Sequence, residues 1–338
     1  MLGYSIGEIL MLKELKYLTI QEQIDNLKSK GLIIENDKKA ENYLCEIGYY
    51  KLINGYKKPF LIKIKSQNGE IAKKYLENTS IDDLFHLYQF DQEIKSLILK
   101  YISYIEVKTK ARMSDVISKN FGIKESEYLI AANFKPDSKK KQKQKFSEIY
   151  EDIKKNITNQ QRRHFAIKWY HQNYNYYPFW VLSNILTLGT ISLLYSKLKQ
   201  AEQNQISKIF GIKSKVFESS LMIMNLFRNA CAHNEVVYCY KTIQSLSQKE
   251  IKWLYENYNI ELNPKTGKYK NGINDILALI IIFKFLLPKS MFSEFLDKFN
   301  SALNKLKKDV NDQKFQEILL GMGIVIDLNN LKNLKIPK

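Results

Sequence analysis

The chain has 338 residues, with 53 Lys and Arg against 35 Asp and Glu, for a net charge of +18. Hydrophobic residues make up 45% and aromatics 12%, enough apolar material for a buried core, which excludes wholesale disorder. Three Cys (Cys45, Cys231, Cys239) cannot all pair and form no CxxC, so a disulfide scaffold and a Cys-based zinc site are both disfavoured.

The first residues lack the basic start and long apolar run of a leader peptide. The most apolar stretch, Ile276 to Leu287, is about 12 residues and contains Lys284, too short for a bilayer. The expectation is a soluble cytoplasmic protein with no membrane partner. A pI near 9.4 makes a polyanion the first partner to consider, and nucleic acid the commonest one. Lys, Asn, Ile and Tyr richness discounts that charge, because only Arg112, Arg162, Arg163 and Arg228 are arginine.

Two helical stretches fill the first 45 residues, with Thr19-Ile-Gln-Glu as a capped start. Ile62 to Lys65 alternates at period two and meets Asn68-Gly69 before Ile71, which predicts a small β-hairpin. From Ser80, with Asp83 at capping-box spacing, Leu84, Tyr88, Ile94, Ile98, Ile102 and Ile105 form an apolar stripe. That helix reaches Asn120, with Gly122 as its stop, and at about 60 Å it calls for a break or a dimer-spanning role.

Pro136 to His164 is polar and basic, read as a partly disordered insert or an exposed helical hairpin. It holds Lys139, Lys140, Lys141, Lys143 and Lys145, then Lys154, Lys155, Arg162 and Arg163. A solvated face and a patch that grips RNA phosphates both fit this clustering. Trp169 to Trp180 is dense in aromatics; helices follow over Val181 to Leu198 and Ser214 to about Cys231, with Gly189 at a close helix approach. More helices lie around Ile251, over Ile276–Leu287 and over Phe292–Leu306. The fold class is mostly α with one hairpin. The expected divisions are 1–78, 79–245 with a basic insert at about 135–165, and a C-terminal extension, 246–338.

Four His allow a complete survey. His86 reads as a partly buried structural residue, and nothing fixes a role for His164 or His171. His233 differs, because it closes Arg228-Asn229-Ala-Cys-Ala-His233. Arg supplies a permanent forked donor for phosphate oxygens, imidazole exchanges protons near neutral pH, and Asn orients either without titrating. On an ideal helix Arg228 and His233 lie about 140° apart, so one helix alone does not present both to one phosphate. His233 is then expected at a bent or frayed helix end, with a second copy completing the site. No HExxH, no carboxylate cluster of ligand spacing and no GxxxxGK[ST] occurs, so metal-dependent nuclease and P-loop readings are disfavoured and no cofactor is expected.

Arg228-Asn229 to His233 resembles the RNxxxH motif of HEPN-superfamily ribonucleases. The chain also resembles the Abi-like phage abortive-infection family of the AbiD/AbiF type in several ordered pieces. They are Gln21 to Leu32, Gly48 to Tyr56 with Pro59-Phe60, and Leu87 to Asp91 leading to Ile105-Glu106-Val107. Pro178-Phe-Trp180 follows, leading to Leu188-Gly189-Thr190. The resemblance implies an HEPN-like helical bundle, a homodimer, RNA as substrate and a defence role by growth arrest. Some relatives sit beside a structured small RNA, which adds a bound regulatory RNA to the candidate partners. Asn184 stands where the family usually has Glu, and Lys108 and Lys110 where it usually has Arg. Glu106 is either an orienting carboxylate facing Arg228 or a surface charge.

The leading expectation is a metal-independent endoribonuclease using Arg228, Asn229 and His233, with Glu106 and Asn184 at orienting positions. The alternative is a non-catalytic RNA-binding scaffold on the same fold, gripping phosphate through Arg228.

Overall fold

Thr19 opens the first helix, α1 (Ile20–Ser29), by a reciprocal cap. Its hydroxyl accepts the Glu22 N–H at 3.3 Å, while the Glu22 carboxylate accepts the Thr19 N–H at 2.7 Å. The computed structural model describes residues 17–65, 71–136 and 145–336 and is mostly helical. Asn36 caps α2 (Asp37–Ile47), and Ile24, Leu27, Ala40 and Leu44 are buried where α1 meets α2. A π-turn (Tyr50–Asn54) and a 3₁₀ turn (Lys58–Phe60) lead into β1 (Leu61–Lys65). It pairs antiparallel with β2 (Ile71–Tyr75), Leu61 opposite Tyr75, so the predicted hairpin strands are present. The turn itself, with Asn68-Gly69, lies outside the described residues.

These elements belong to the first of two compact units, which ends at Tyr88. Ser80 and Asp83 form the expected box, Ser80 N–H donating to Asp83 at 2.7 Å and Asp83 N–H to the Ser80 hydroxyl at 3.2 Å. They start α3 (Ile81–Phe121), a 41-residue helix that runs on into the second unit. The helix is unbroken, because its buried positions recur without a slip: Ile94, Ile98, Ile102, Ile105, Thr109, Met113, then Val116 and Ile117. It stops at Gly122, whose φ of +98° suits only glycine; an added Cβ would also meet the Glu127 carboxylate at 2.3 Å.

The second unit, from Gln89 onward, holds the remaining helices. After a short α4 (Glu125–Tyr128), the basic segment resumes at Lys145 and forms α5 (Phe146–Gln160). Phe146, Ile149 and Ile153 are buried and Phe146 stacks on Phe134 at 4.2 Å, so this half of the expected insert is a packed amphipathic helix. Its apolar positions at i, i+3 and i+7 are obscured in composition by the polar and charged residues around them. The helix α6 (Phe165–Tyr174) ends at Asn175 in the left-handed region, and Pro178 precedes α7 (Phe179–Leu182).

The helix expected over Val181–Leu198 is divided. A 3₁₀ turn (Ser183–Ile185) follows α7, and Thr187 then caps a new helix, α8 (Leu188–Lys197), its hydroxyl accepting the Thr190 N–H. The site helix, α10 (Ser214–Ala232), follows α9 (Gln200–Lys208). A Cβ on Gly189 would stand 3.2 Å from the Asn225 amide, so glycine sets the close approach of α8 to α10 as expected.

Beyond α10 come α11 (Lys252–Asn257) and a second small antiparallel pair, β3 (Leu262–Asn263) and β4 (Lys268–Tyr269). This pair was not read from the sequence; Pro264 and Gly267 in its turn were the available signal. Asp275 caps α12 (Ile276–Leu286), which is buried almost all round. Then α13 (Lys289–Asp309), α14 (Asp312–Gly321) and a short α15 (Asn330–Asn333) complete the chain. The C-terminal hundred residues share the core of the second unit. Tyr101 of α3 packs edge-on against Phe295 of α13 at 5.3 Å, and Phe283 of α12 meets the same ring at 4.9 Å. Among the described residues no helix is long and apolar enough to cross a membrane.

Candidate functional site

Helix α10 buries one face through Val216, Phe217, Ser220, Leu221, Ile223, Met224 and Phe227, against α8, α9 and α12. Each following turn therefore has a fixed outside. Arg228 lies next to buried Phe227 and is exposed; Asn229 is half-buried; Ala230 and Cys231 turn inward again. The Arg228 Nη1 donates to Asn229 Oδ1 at 3.3 Å. His233 is the C-cap residue and is exposed, which places it at a helix end as the sequence geometry anticipated.

The way the helix ends fixes His233. Asn234 takes φ +55°, its N–H donates to Cys231 O at 3.1 Å, and the Glu235 N–H donates to Ala230 O at 2.9 Å. This is a Schellman stop with Asn in the left-handed position that glycine usually fills. The Asn234 side chain is also held. Its Oδ1 accepts from Lys95 Nζ of α3 at 3.0 Å.

Lys95 in turn pairs with Asp91, one turn earlier on α3, at 2.8 Å, and both side chains are almost wholly buried. Asp91 Oδ1 accepts the N–H groups of Val237 and Tyr238 at 3.0 and 2.6 Å. A buried carboxylate thus ties down the residues just after the motif, and its buried ammonium ties down the helix stop. Such a pair is costly to bury and is retained where hydrogen bonds engage its oxygens and protons, as they do here. Burial, with the Asp91 carboxylate nearby, pushes the Cys231 thiol up to about 12 and keeps it neutral. Asp91 closes one of the family-like pieces, but neither it nor Lys95 was assigned a role from the sequence. The signal was available: Asp91 sits at the centre of the stripe formed by Leu87, Ile94, Ile98 and Ile102, where a charge has no reason to be unless it is bonded.

The other predicted residues lie as follows. Glu106 on α3 is ion-paired with Lys110 at 2.7 Å, one turn on along the same helix. Asn184 is exposed on the 3₁₀ turn, and its Nδ2 donates to Trp180 O and Val181 O at 2.8 and 3.2 Å. Neither side chain is hydrogen-bonded to Arg228 or His233. Lys145 is exposed at the start of α5, and Arg162 and Arg163 are exposed in the turn after it. Lys139, Lys140, Lys141 and Lys143 lie outside the described residues. His86 is half-buried on α3, in keeping with a structural residue. Among the described residues no three His, Cys, Asp or Glu side chains gather as a metal-binding group.

What the α10 end offers is a permanent cation, a carboxamide and an imidazole, all reachable by solvent, on a backbone held from below by a buried ion pair. His233, as the C-cap residue, has left the helical backbone that carries Arg228, and no hydrogen bond joins the two side chains. A family model described as Abi-like protein matches residues 42–239, a span from α2 through Asp91 and the motif to the residue after Tyr238. No curated protein and no solved structure matches the chain.

Proposed function

The chain belongs to the Abi-like protein family, and from that premise we propose that it acts in abortive-infection phage defence as a metal-independent endoribonuclease. The α-helical second unit is read as an HEPN-like bundle, and the active site as Arg228, Asn229 and His233 from two copies of the chain. The observation that carries this reading is the joint exposure of Arg228 and His233 at the braced end of α10. The backbone that carries both side chains is held in place, which lowers the entropic cost of presenting them.

In the reaction, His233 of one subunit removes the proton from an RNA 2′-hydroxyl, and that oxygen attacks the adjacent phosphorus. The bond to the leaving 5′-oxygen breaks as His233 of the partner subunit protonates it, giving a 2′,3′-cyclic phosphate and a 5′-hydroxyl. The Arg228 pair stabilises the charge that builds on the non-bridging oxygens, and Asn229 orients the guanidinium it already contacts.

A second reading, a non-catalytic RNA-binding scaffold, draws on Asn184, whose amide is spent on its own turn and offers no carboxylate to His233. Expression in a bacterial host separates the two. Growth should arrest with the native protein and recover with Arg228→Ala/His233→Ala; equal growth with both supports the scaffold.

A further inference from the structure

Helix α6 carries its apolar weight on the wrong side for a simple surface helix. Ile167 is its buried contact, yet Phe165 and Trp169, on the opposite face, are 83% and 43% exposed. A polar face there is the ordinary arrangement, since large apolar side chains gain most from burial. The rings continue as one cluster. Trp169 meets Tyr170 at 5.1 Å and Tyr174 at 5.5 Å, Tyr174 is half exposed, and it meets Tyr176 at 5.9 Å.

The sequence that carries these rings has charge of one sign. No acidic residue occurs in the sequence between Asp152 and Glu202. Arg162 and Arg163 sit just before α6 and Lys168 on its exposed face, and none of the three forms an ion pair among the described residues. Lys124 adds a further ammonium over the Tyr176 ring at 5.6 Å. The neighbouring Glu125 is engaged, its carboxylate accepting the Tyr177 N–H at 2.8 Å. Flat rings flanked by unpaired guanidinium groups suit a polyanion with exposed π-faces. That description fits unpaired bases on a phosphate backbone better than an apolar protein surface.

We propose that the exposed face of α6, with Phe165 and Trp169, the half-exposed Tyr174 at its C-terminal end, and Arg162, Arg163 and Lys168 beside them in the sequence, is a stacking site for single-stranded RNA. It lies apart in sequence from the Arg228–His233 motif and rests on the reading of RNA as substrate. Bases lie on the rings and phosphates on the guanidinium groups, so the site selects unpaired RNA whatever its sequence.

The test measures binding of a labelled oligouridine of about 12 nucleotides to the full chain carrying Arg228→Ala/His233→Ala, so that cleavage does not enter. Phe165→Ser/Trp169→Ser should bind it at least about tenfold more weakly at every salt concentration, and Trp169→Phe should recover most of that affinity. Arg162→Ser/Arg163→Ser should instead flatten the salt dependence, lowering its slope by about 0.7 for each phosphate no longer neutralised. Both sets of residues are exposed, and unchanged melting curves confirm folding. An unchanged affinity in the double serine variant overturns the site. So does an equal weakening on blunt duplex RNA, or weaker binding to phosphatidylglycerol vesicles with oligouridine affinity unchanged. If the native protein cuts no RNA while these binding differences persist, the catalytic reading falls and the stacking site stands.

Discussion

At the scale of single residues, the motif divides into groups with different duties. In the proposed mechanism His233 acts on protons and not on affinity, so His233→Ala should abolish cleavage while leaving RNA binding nearly intact. Arg228→Ala should damage both, because it removes a charge that holds phosphate in the ground state and more strongly in the transition state. Asn229→Ala should fall between them; equal cleavage by His233→Ala and native protein would remove the imidazole from the mechanism. Cys231, inside the motif, is given no chemical part in the proposal. Its thiol is buried and pushed up to about 12, whereas Cys45 is exposed. A thiol reagent at neutral pH should modify Cys45 in the native protein and Cys231 only after unfolding. Rapid native-state labelling of Cys231 would contradict its burial. What the sequence made legible at the motif was the place of His233 at a helix end. The exposure of the motif residues and the orientation of Glu106 and Asn184 were not legible, since these depend on which partner reaches each side chain first. Glu106 meets Lys110 within its own helix, and Asn184 meets its own turn.

At the scale of elements, the end of α10 is held by a helix more than a hundred residues earlier in the chain. Asp91→Ala would leave Lys95 buried without its counter-ion and two backbone N–H groups without an acceptor. That should cost about 3–5 kcal/mol in urea unfolding. Lys95→Arg should be milder, as it keeps the charge and a donor for Asn234. A destabilisation below about 1 kcal/mol in Asp91→Ala would show that the pair does not hold this loop. The cap of α12 gives a pH dependence of known sign. Burial holds the Asp275 carboxyl above its ordinary range, against the pull of the Ala278 and Gly272 N–H donors. The native state therefore binds that proton more tightly than the unfolded chain. The stability it lends is complete below about pH 4 and is lost as pH rises through the native value. Asp275→Asn keeps an acceptor without the charge, so its stability relative to the native chain should improve as pH rises across the acid range. A constant difference would contradict the raised value. Long periodic elements and caps were legible here, with Thr19 and Ser80 the clearest cases. The division of α7 from α8 was not, because Thr187 wins as a local cap over an apolar pattern that continues through it.

At the scale of the whole molecule, the 41-residue α3 was readable end to end because stripe, cap and Gly122 stop agree. The packing of the C-terminal helices into the same core was not, since the apolar run of α12 says only that it is buried and not against what. Assembly is part of the proposal, since the composite site draws on two copies of the 39.8 kDa chain, and light scattering should report twice that mass. A strict monomer that still cleaves RNA would remove the composite site. The central claim is acid–base cleavage at the α10 end, and the most direct measurement is an RNA cleavage assay of the purified protein in EDTA, with product ends identified. The account predicts cleavage by the native chain to 2′,3′-cyclic phosphate and 5′-hydroxyl ends, and none by His233→Ala. Full activity in His233→Ala, or loss of native activity in EDTA, would contradict it.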